Sequence, residues 1–106
     1  MSGELRVVTT RRADEDVDRA VDRCRGEAGA EVADRLVSAL EDTFDLMARF
    51  PFVGDSRFAA DTGIPDLRSL VLGRFPYVVL YTVEGETARV HRVLHLRRDI
   101  PAELRS

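Results

Sequence analysis

The spacing of hydrophobic residues changes character along the N-terminal half of the chain. Residues Leu5 to Thr10 form a short segment rich in β-branched side chains and bounded by charged residues, which is typical of a strand. From near Ala13 to Gly26, apolar residues instead recur three and four positions apart, and acidic residues crowd the first turn. This segment is predicted to be an amphipathic helix that ends at Gly26.

A second helical pattern runs from about Ala30 to Phe50, where Pro51 follows. Its apolar face is expected to contain Val32, Leu36, Val37, Leu40, Phe44 and Met47. Because few residues separate the two helices, they should form an antiparallel hairpin.

The pattern then loses its periodicity before it returns as strands. Pro51 to Asp66 contains two Pro and two Gly and is predicted to be a surface loop. Three strands follow, at Leu67–Leu72, Tyr77–Val83 and Ala88–Leu96, and the continuous apolar run of the middle one favours a central position.

The last strand carries two further signals. The alternation of polar and apolar residues breaks between Arg92 and Val93, which predicts a bulge or a position covered on both sides. Pro101 prevents the strand from continuing as a central one.

The order β-α-α-β-β-β predicts one domain over residues 1–106 with an α+β fold in two layers. An N-terminal strand would join a mainly antiparallel four-stranded sheet, and the antiparallel helical hairpin would pack on that sheet. This arrangement buries one apolar face of each helix and one face of the sheet.

Composition limits the class of protein. The chain has 106 residues, is 44% hydrophobic and 33% charged, and all sixteen basic residues are Arg, as GC-rich coding would produce. Residues 1–67 contain nine Arg against fifteen acids, whereas residues 68–106 contain seven Arg against four acids. A net charge of −3 disfavours direct nucleic-acid binding. The lone Cys24, and the absence of a signal sequence or a long apolar run, predict a cytoplasmic protein without disulfides or membrane contact.

Residues 91 to 99, HRVLHLRRD, concentrate the candidate chemistry. His91 and His95 lie on a strand with no third ligand nearby except Asp99, so a metal site has little support. His95 has the intrinsic pKa of a general base, but a hydrogen bond to the neighbouring loop explains it more simply. We therefore expect neither a metal nor a cofactor.

The arginines of the C-terminal third allow two interpretations. Arg68, Arg92, Arg97 and Arg98 could form a phosphate-binding face, because guanidinium groups present a planar fork of donors. Alternatively, they pair with the acids of the helices or with Asp99 and Glu103.

Several motifs resemble a known family in their order and spacing. They are P-x-x-G at Pro51–Gly54, LR-x-L at Leu67–Leu70, FPYVVLY-x-V at Phe75–Val83 and V-x-RVLH-x-RRD at Val90–Asp99. Together they resemble the ParE/RelE superfamily of toxins from type II toxin–antitoxin modules, and RVLHLRRD before a Pro is especially similar to the ParE branch.

The two branches imply different activities. RelE-type members are metal-independent endoribonucleases that cut mRNA on the ribosome and use basic residues of the sheet. Here Val78 stands where those relatives have Arg, Leu104 or a neighbour stands where Tyr is expected, and only Arg97 or Arg98 matches. The resemblance therefore implies a ParE-type, non-catalytic inhibitor of DNA gyrase that a cognate antitoxin neutralises in a hetero-oligomer. A non-toxic binding module on the same fold is the third alternative.

On this resemblance the functional residues would form a binding patch. The expected partner-binding residues are Arg68, Arg74, His95, Arg97, Arg98, Ile100 and Leu104. The expected structural residues are Pro51, Gly54, Tyr77, Tyr81 and Asp99, with Asp99 pairing with an arginine at the end of the last strand. The antitoxin would contribute a C-terminal helix, with or without a strand, to the helical hairpin and the sheet edge.

Overall fold

A computed structural model describes residues 4–105 and contains four strands and four helices in that range. In chain order the elements are β1 (Arg6–Thr9), α1 (Arg11–Ala28), α2 (Ala30–Arg49), α3 (Ala59–Thr62), β2 (Arg68–Val71), β3 (Tyr77–Glu84), β4 (Thr87–His95) and α4 (Ile100–Arg105). The α+β class and the helical hairpin predicted from the sequence are confirmed.

The four strands form one mixed sheet in the order β1-β4-β3-β2. β3 pairs antiparallel with both β2 and β4, whereas β1 pairs parallel with β4 at the sheet edge. The helical hairpin returns the chain to the end of the sheet at which β1 starts, so β2 runs in the same direction as β1. Because β3 and β4 then alternate in direction, β4 is parallel to β1. The sheet is therefore mainly antiparallel, as predicted.

The first helix differs from its prediction at both ends. It starts at Arg11, because the Thr10 hydroxyl accepts a hydrogen bond from Ala13 N at 3.1 Å and caps the helix. It runs through Gly26 and ends at Gly29, whose φ of 95° lies in the region that favours glycine. A glycine in a helix is tolerated at modest cost, so Gly26 does not stop α1.

The helical hairpin covers one face of the sheet and forms the larger core. α2 buries Leu36, Leu40 and Met47 as expected, but Val37 is 36% exposed. The sheet contributes the buried residues Val79, Tyr81, Ala88, Val90 and Val93 to this core, and Leu72, directly after β2, joins them. Within residues 4–105 no helix is long and apolar enough to span a bilayer.

A smaller core lies on the opposite face of the sheet. It consists of Leu67, Val78, Leu80, Leu94 and Ile100, with α3 and α4 packed beside it. Neither short helix was predicted, since α3 lies within the expected loop of residues 51–66 and α4 follows the last strand. The two cores explain why β3 reads as a continuous apolar run: its residues alternate between them.

A bulge occurs in β4, one residue earlier than expected. Leu80 pairs with Arg92 and Tyr81 pairs with Val90, so His91 has no register partner on β3. The extra residue shifts the alternation, which places Val90 and Val93 in the larger core and Leu94 in the smaller one.

A buried ion pair joins α1 to β4. Arg92 donates from Nε to Asp16 Oδ2 at 2.7 Å and from Nη2 to Asp16 Oδ1 at 3.0 Å, and both residues are 5% exposed. Asp16 Oδ2 also accepts from the backbone N of Val93 at 3.0 Å. β1 pairs with β4 only as far as Val90 and does not reach Val93. The Asp16 carboxylate therefore accepts the hydrogen bond from Val93 N that a neighbouring strand would otherwise accept.

The loop after α2 is fixed to β3 through one tyrosine. The buried Tyr81 hydroxyl donates to Pro51 O at 2.8 Å and accepts from Gly54 N at 3.0 Å. A Cβ at Gly54 would lie 2.8 Å from both Ser69 O and the Tyr81 hydroxyl. The position therefore accepts only glycine without displacement of its neighbours.

Substitution of Gly54 tests this close approach. We expect Gly54→Ala to lower the free energy of unfolding by about 1–3 kcal/mol, the usual cost of overpacking a filled site. Gly26→Ala is the matched control, because nothing lies within 4 Å of its Cβ and the helix interior favours Ala by about 0.5–1 kcal/mol. Urea denaturation of both variants measures the two effects, and equal stability of the Gly54 variant and the parent would contradict the account.

Candidate partner-binding surface

The exit of β4 turns sharply and carries three of the expected functional residues. His95 O accepts from Arg98 N at 2.9 Å, and His95 Nδ1 accepts from Arg97 N at 3.0 Å. Leu96 N donates to Pro76 O at 2.8 Å, which joins this turn to the β2–β3 connection. We call the exposed segment from His95 to Arg98 the β4 exit.

Arg74 lies at the same end of the sheet, in the β2–β3 connection. It is exposed, as are Arg97 and Arg98. The structure thus brings Arg74 to the end of the sheet that carries the β4 exit, although the residues are far apart in sequence.

The β4 exit is connected to the buried ion pair through α4. Arg98 Nη1 lies 2.9 Å from Glu103 Oε2, and Arg92 donates from Nη1 to Glu103 O at 3.2 Å. Glu103 thereby contacts an exposed arginine and a buried one. A chain of contacts thus runs from Asp16 through Arg92 and Glu103 to Arg98.

His95 lies against an aromatic ring at the edge of the exit. Its ring meets that of Tyr77 edge-on at 73°, with centroids 5.1 Å apart. Partial burial lowers the pKa of His95, and the charges of Arg97, Arg23 and Arg98 lower it further. The neutral imidazole is favoured, and the bond from Arg97 N to Nδ1 leaves its proton on Nε2.

His91 is separate from this group. Its Nε2 lies 2.8 Å from the Thr82 hydroxyl, which donates to Glu84 Oε2 at 2.9 Å. Burial is the main cause of its lowered pKa. The two histidines therefore use their ring nitrogens in separate local hydrogen bonds.

Three residues of the C-terminal segment differ from expectation. Ile100 is 4% exposed and belongs to the smaller core, and Leu104 is half-buried against the same core, so neither presents its side chain fully to a partner. Asp99 caps α4, because its Oδ1 accepts from Ala102 N at 3.2 Å. The expected pairing of Asp99 with an arginine is replaced by this cap, and Arg98 pairs with Glu103.

Arg68 serves the loop of residues 51–54. It donates from Nη1 to Gly54 O at 2.8 Å and to Phe52 O at 3.2 Å, and its guanidinium lies 4.8 Å from the centroid of the Phe52 ring. These contacts fix the loop together with those of Tyr81. Arg68 is half-buried and lies on β2, away from the β4 exit.

A groove lies between α2 and β2, where the helical hairpin meets the sheet edge at which the antitoxin was expected to bind. Of the residues that line it, Arg74 was among the expected partner-binding residues. Its volume is about 740 Å³, and Leu46 and Val71 are 38% and 45% exposed in it. The remaining lining residues are Val32, Arg35, Ser38, Ala39, Asp42, Thr43, Leu70, Gly73, Arg74 and Phe75. A sequence signal existed, since Leu46 lies off the apolar face of α2, but only the position of β2 turns it into a groove.

Exposed aromatic residues extend the apolar surface beyond α2. Phe50 and Phe52 are 59% and 65% exposed, and Val53 is 45% exposed. Large apolar side chains left in water at adjacent positions are typical of protein-binding surfaces. The groove and this loop together present several exposed apolar side chains, whereas Leu96 is the exposed large apolar residue of the β4 exit.

The family profile described as "ParE toxin of type II toxin-antitoxin system, parDE" matches residues 7–100. The curated Toxin ParE3 of Caulobacter vibrioides is 33% identical over 100 residues, which cover 93% of this chain and 94% of that protein. The shared segment includes both the loop fixed by Tyr81 and the β4 exit.

A solved structure shows the same fold. It is described as the chromosomal ParDE TA system from P. aeruginosa, with a TM-score of 0.72 and 23% identity, and the match covers 89% of this chain and 98% of that one. The profile match over most of the chain and the similarity to the Caulobacter toxin show the family. This chain belongs to the ParE toxins of type II toxin–antitoxin systems.

Proposed function

We propose that this toxin arrests growth by binding DNA gyrase through the β4 exit and that a cognate antitoxin neutralises it. The observation that carries the proposal is the exposure of Arg97 and Arg98, next to His95, in the turn that follows β4. Arginines at the edge of a fixed element suit recognition of acidic side chains on a protein. Both partners place the proposed activity in the cytoplasm.

The ribonuclease alternative has less support from the packing. Val78, which stands where RelE-type relatives have Arg, is fully buried in the smaller core. An arginine there would need a different core, so the position lacks the cation that stabilises a leaving phosphate. The net charge of −3 also disfavours a surface that binds RNA by releasing counterions. The third alternative, a non-toxic binding module, would still bind a partner in the groove but would bind no target through the β4 exit.

The antitoxin would bind in the groove between α2 and β2. An amphipathic helix is the segment that best fills an elongated apolar groove of this size. β2 pairs with β3 along one edge, and within residues 4–105 its other edge has only the isolated bridge between Asp55 and Ser69. A strand of the antitoxin could pair there beyond the bridge.

Removal of the two exposed arginines tests the toxin proposal. The double variant Arg97→Ala, Arg98→Ala should lose at least tenfold in its inhibition of gyrase supercoiling and should no longer arrest growth when induced. Since both side chains are exposed, the variant should fold and still bind the antitoxin. The matched control is the double variant Arg25→Ala, Arg57→Ala, which loses the same charge from exposed arginines that form surface ion pairs elsewhere.

Two results would overturn the proposal. One is growth arrest that persists in the Arg97, Arg98 variant at parental strength. The other is early mRNA cleavage with intact supercoiling on induction of the parent, which would assign the chain to the ribonuclease activity.

A pair of substitutions on α2 tests the antitoxin groove. Leu46→Glu places a charge in the groove and should weaken antitoxin binding at least tenfold, because a buried unpaired carboxylate is costly. Val37→Glu is the matched control: it lies on the same helix with 36% exposure against 38% for Leu46, but outside the groove. Isothermal titration calorimetry measures both affinities, and equal weakening by the two variants would exclude the groove as the docking site.

A further inference from the structure

A second depression lies where α1 passes the end of the sheet, on the side of β4 that carries His95. Its volume is about 270 Å³. It is separate from the groove between α2 and β2, with which it shares no lining residue.

The charge of this depression is positive. Three arginines line it, and Asp16 is the carboxylate among the lining residues. Arg23 and Arg98 also pair with Glu27 and Glu103, at 3.2 and 2.9 Å, but both guanidinium side chains remain more than half exposed and keep further donors. Asp16 is already occupied, because Arg92 holds both of its oxygens from the buried side. Arg19 reaches Asp16 Oδ1 at 3.0 Å while its side chain stays 65% exposed, which leaves most of its donors available.

The lowered pKa of His95 also indicates a positive electrostatic potential in this depression. Besides burial, the charges of Arg97, Arg23 and Arg98 lower the pKa of His95, and only Glu27 acts in the opposite direction. The arginines face the imidazole from α1 and from the turn after β4. An anion at this place would be stabilised by the same charges that disfavour the imidazolium.

The shape of the depression selects the kind of anion. Its floor and walls include the apolar side chains of Ala20, Val93 and Leu94 and the ring of Tyr77, which suit the aliphatic stem of a Glu side chain. An extended polyanion such as RNA would in addition meet the acids that α1 exposes nearby, among them Asp18 and Asp22. A single carboxylate fits both the charge and the limited size.

We propose that this depression binds the carboxylate of an acidic side chain presented by a protein partner, with Arg19, Arg23 and Arg98 as its donors. The site would make the β4 exit specific for an acidic segment of a protein. That this protein is gyrase rests on the proposed function, whereas the carboxylate site itself does not. Guanidinium groups from two elements would enclose the carboxylate, as planar donors do in bidentate pairs.

The two histidines allow a direct test on the isolated protein. The probes are the blocked peptide Ala-Ala-Glu-Ala-Ala and its Gln counterpart, at matched low ionic strength. The Glu peptide should raise the pKa of His95, because a bound carboxylate stabilises the imidazolium, and should leave the pKa of His91 unchanged. Imidazole resonances followed by NMR through a pH series report both values, and His91 serves as the internal reference because it lies outside the depression.

Variants on α1 connect the effect to the site. Arg23→Gln should weaken binding of the Glu peptide roughly fivefold, whereas Arg25→Gln should bind like the parent. Both arginines form exposed ion pairs of 3.2 Å on the same helix, but only Arg23 lines the depression. Arg19→Gln provides an independent second variant, and the amide spectrum shows that each variant is folded.

Several results would overturn the inference. They are an equal shift of His95 with the Glu and Gln peptides, no shift with either, parental binding by the Arg23 and Arg19 variants, or a response to inorganic phosphate without one to the Glu peptide. The peptide titration contains no gyrase, so its outcome is independent of the proposed target. If the toxin binds the Glu peptide but does not inhibit gyrase, the proposed target is rejected and the carboxylate site is retained.

Discussion

The ion pair between Asp16 and Arg92 is the constraint on which the rest of the structure depends. β1 pairs with β4 over only four residues, so the remaining edge of β4 needs another partner. The Asp16 carboxylate supplies it, accepting from Val93 N while it binds Arg92. Because Arg92 also bonds to Glu103 O, one buried cluster connects the first helix, the last strand and the last helix. The hydrogen bonds to Asp16 raise the pKa of Arg92 above its usual value, so this cation stays charged.

This cluster places the proposed binding surfaces relative to one another. On one side it leads through Glu103 to Arg98 at the β4 exit, and on the other it forms the base of the cationic depression. The groove between α2 and β2 is separate from this cluster. It is lined by Arg74, which lies in the β2–β3 connection, and that connection is joined to the β4 exit by the hydrogen bond from Leu96 N to Pro76 O. On the proposed function, an antitoxin seated in the groove would lie next to the surface that meets the target. Neutralisation then needs only steric overlap at this end of the sheet.

The sequence predicted the elements whose periodicity is strong and missed those that depend on tertiary contacts. The second helix, the strand Tyr77–Val83 and the helical hairpin follow directly from apolar spacing. α4 was missed because six residues carry too little periodicity, although Asp99 and Pro101 are typical of a helix start. Gly26 misled the prediction because its backbone stays helical, and the residue that ends α1 is Gly29 with its positive φ.

The candidate site was predictable only in part, for a similar reason. Arg97 and Arg98 lie on the surface, as their position after a strand suggests, whereas Ile100 turns into the smaller core once α4 forms. Nothing in the local pattern distinguishes Asp16 from the other acids of α1, yet it alone among them is buried. Its role becomes visible only when residues separated by 76 positions meet across the fold.

A double-mutant cycle on the buried pair tests the account most directly. Asp16→Leu leaves the buried Arg92 with only the contacts to Glu103, and Arg92→Met leaves the buried Asp16 with only the exposed Arg19 as a cation. Each should therefore lower the free energy of unfolding by about 3 kcal/mol, the lower end of the cost of breaking a buried pair. The double variant removes both charges and should lose no more than either single variant, which corresponds to a coupling of roughly 3 kcal/mol. Urea denaturation of the parent and the three variants measures the cycle. Small and additive losses would contradict the central role of this ion pair.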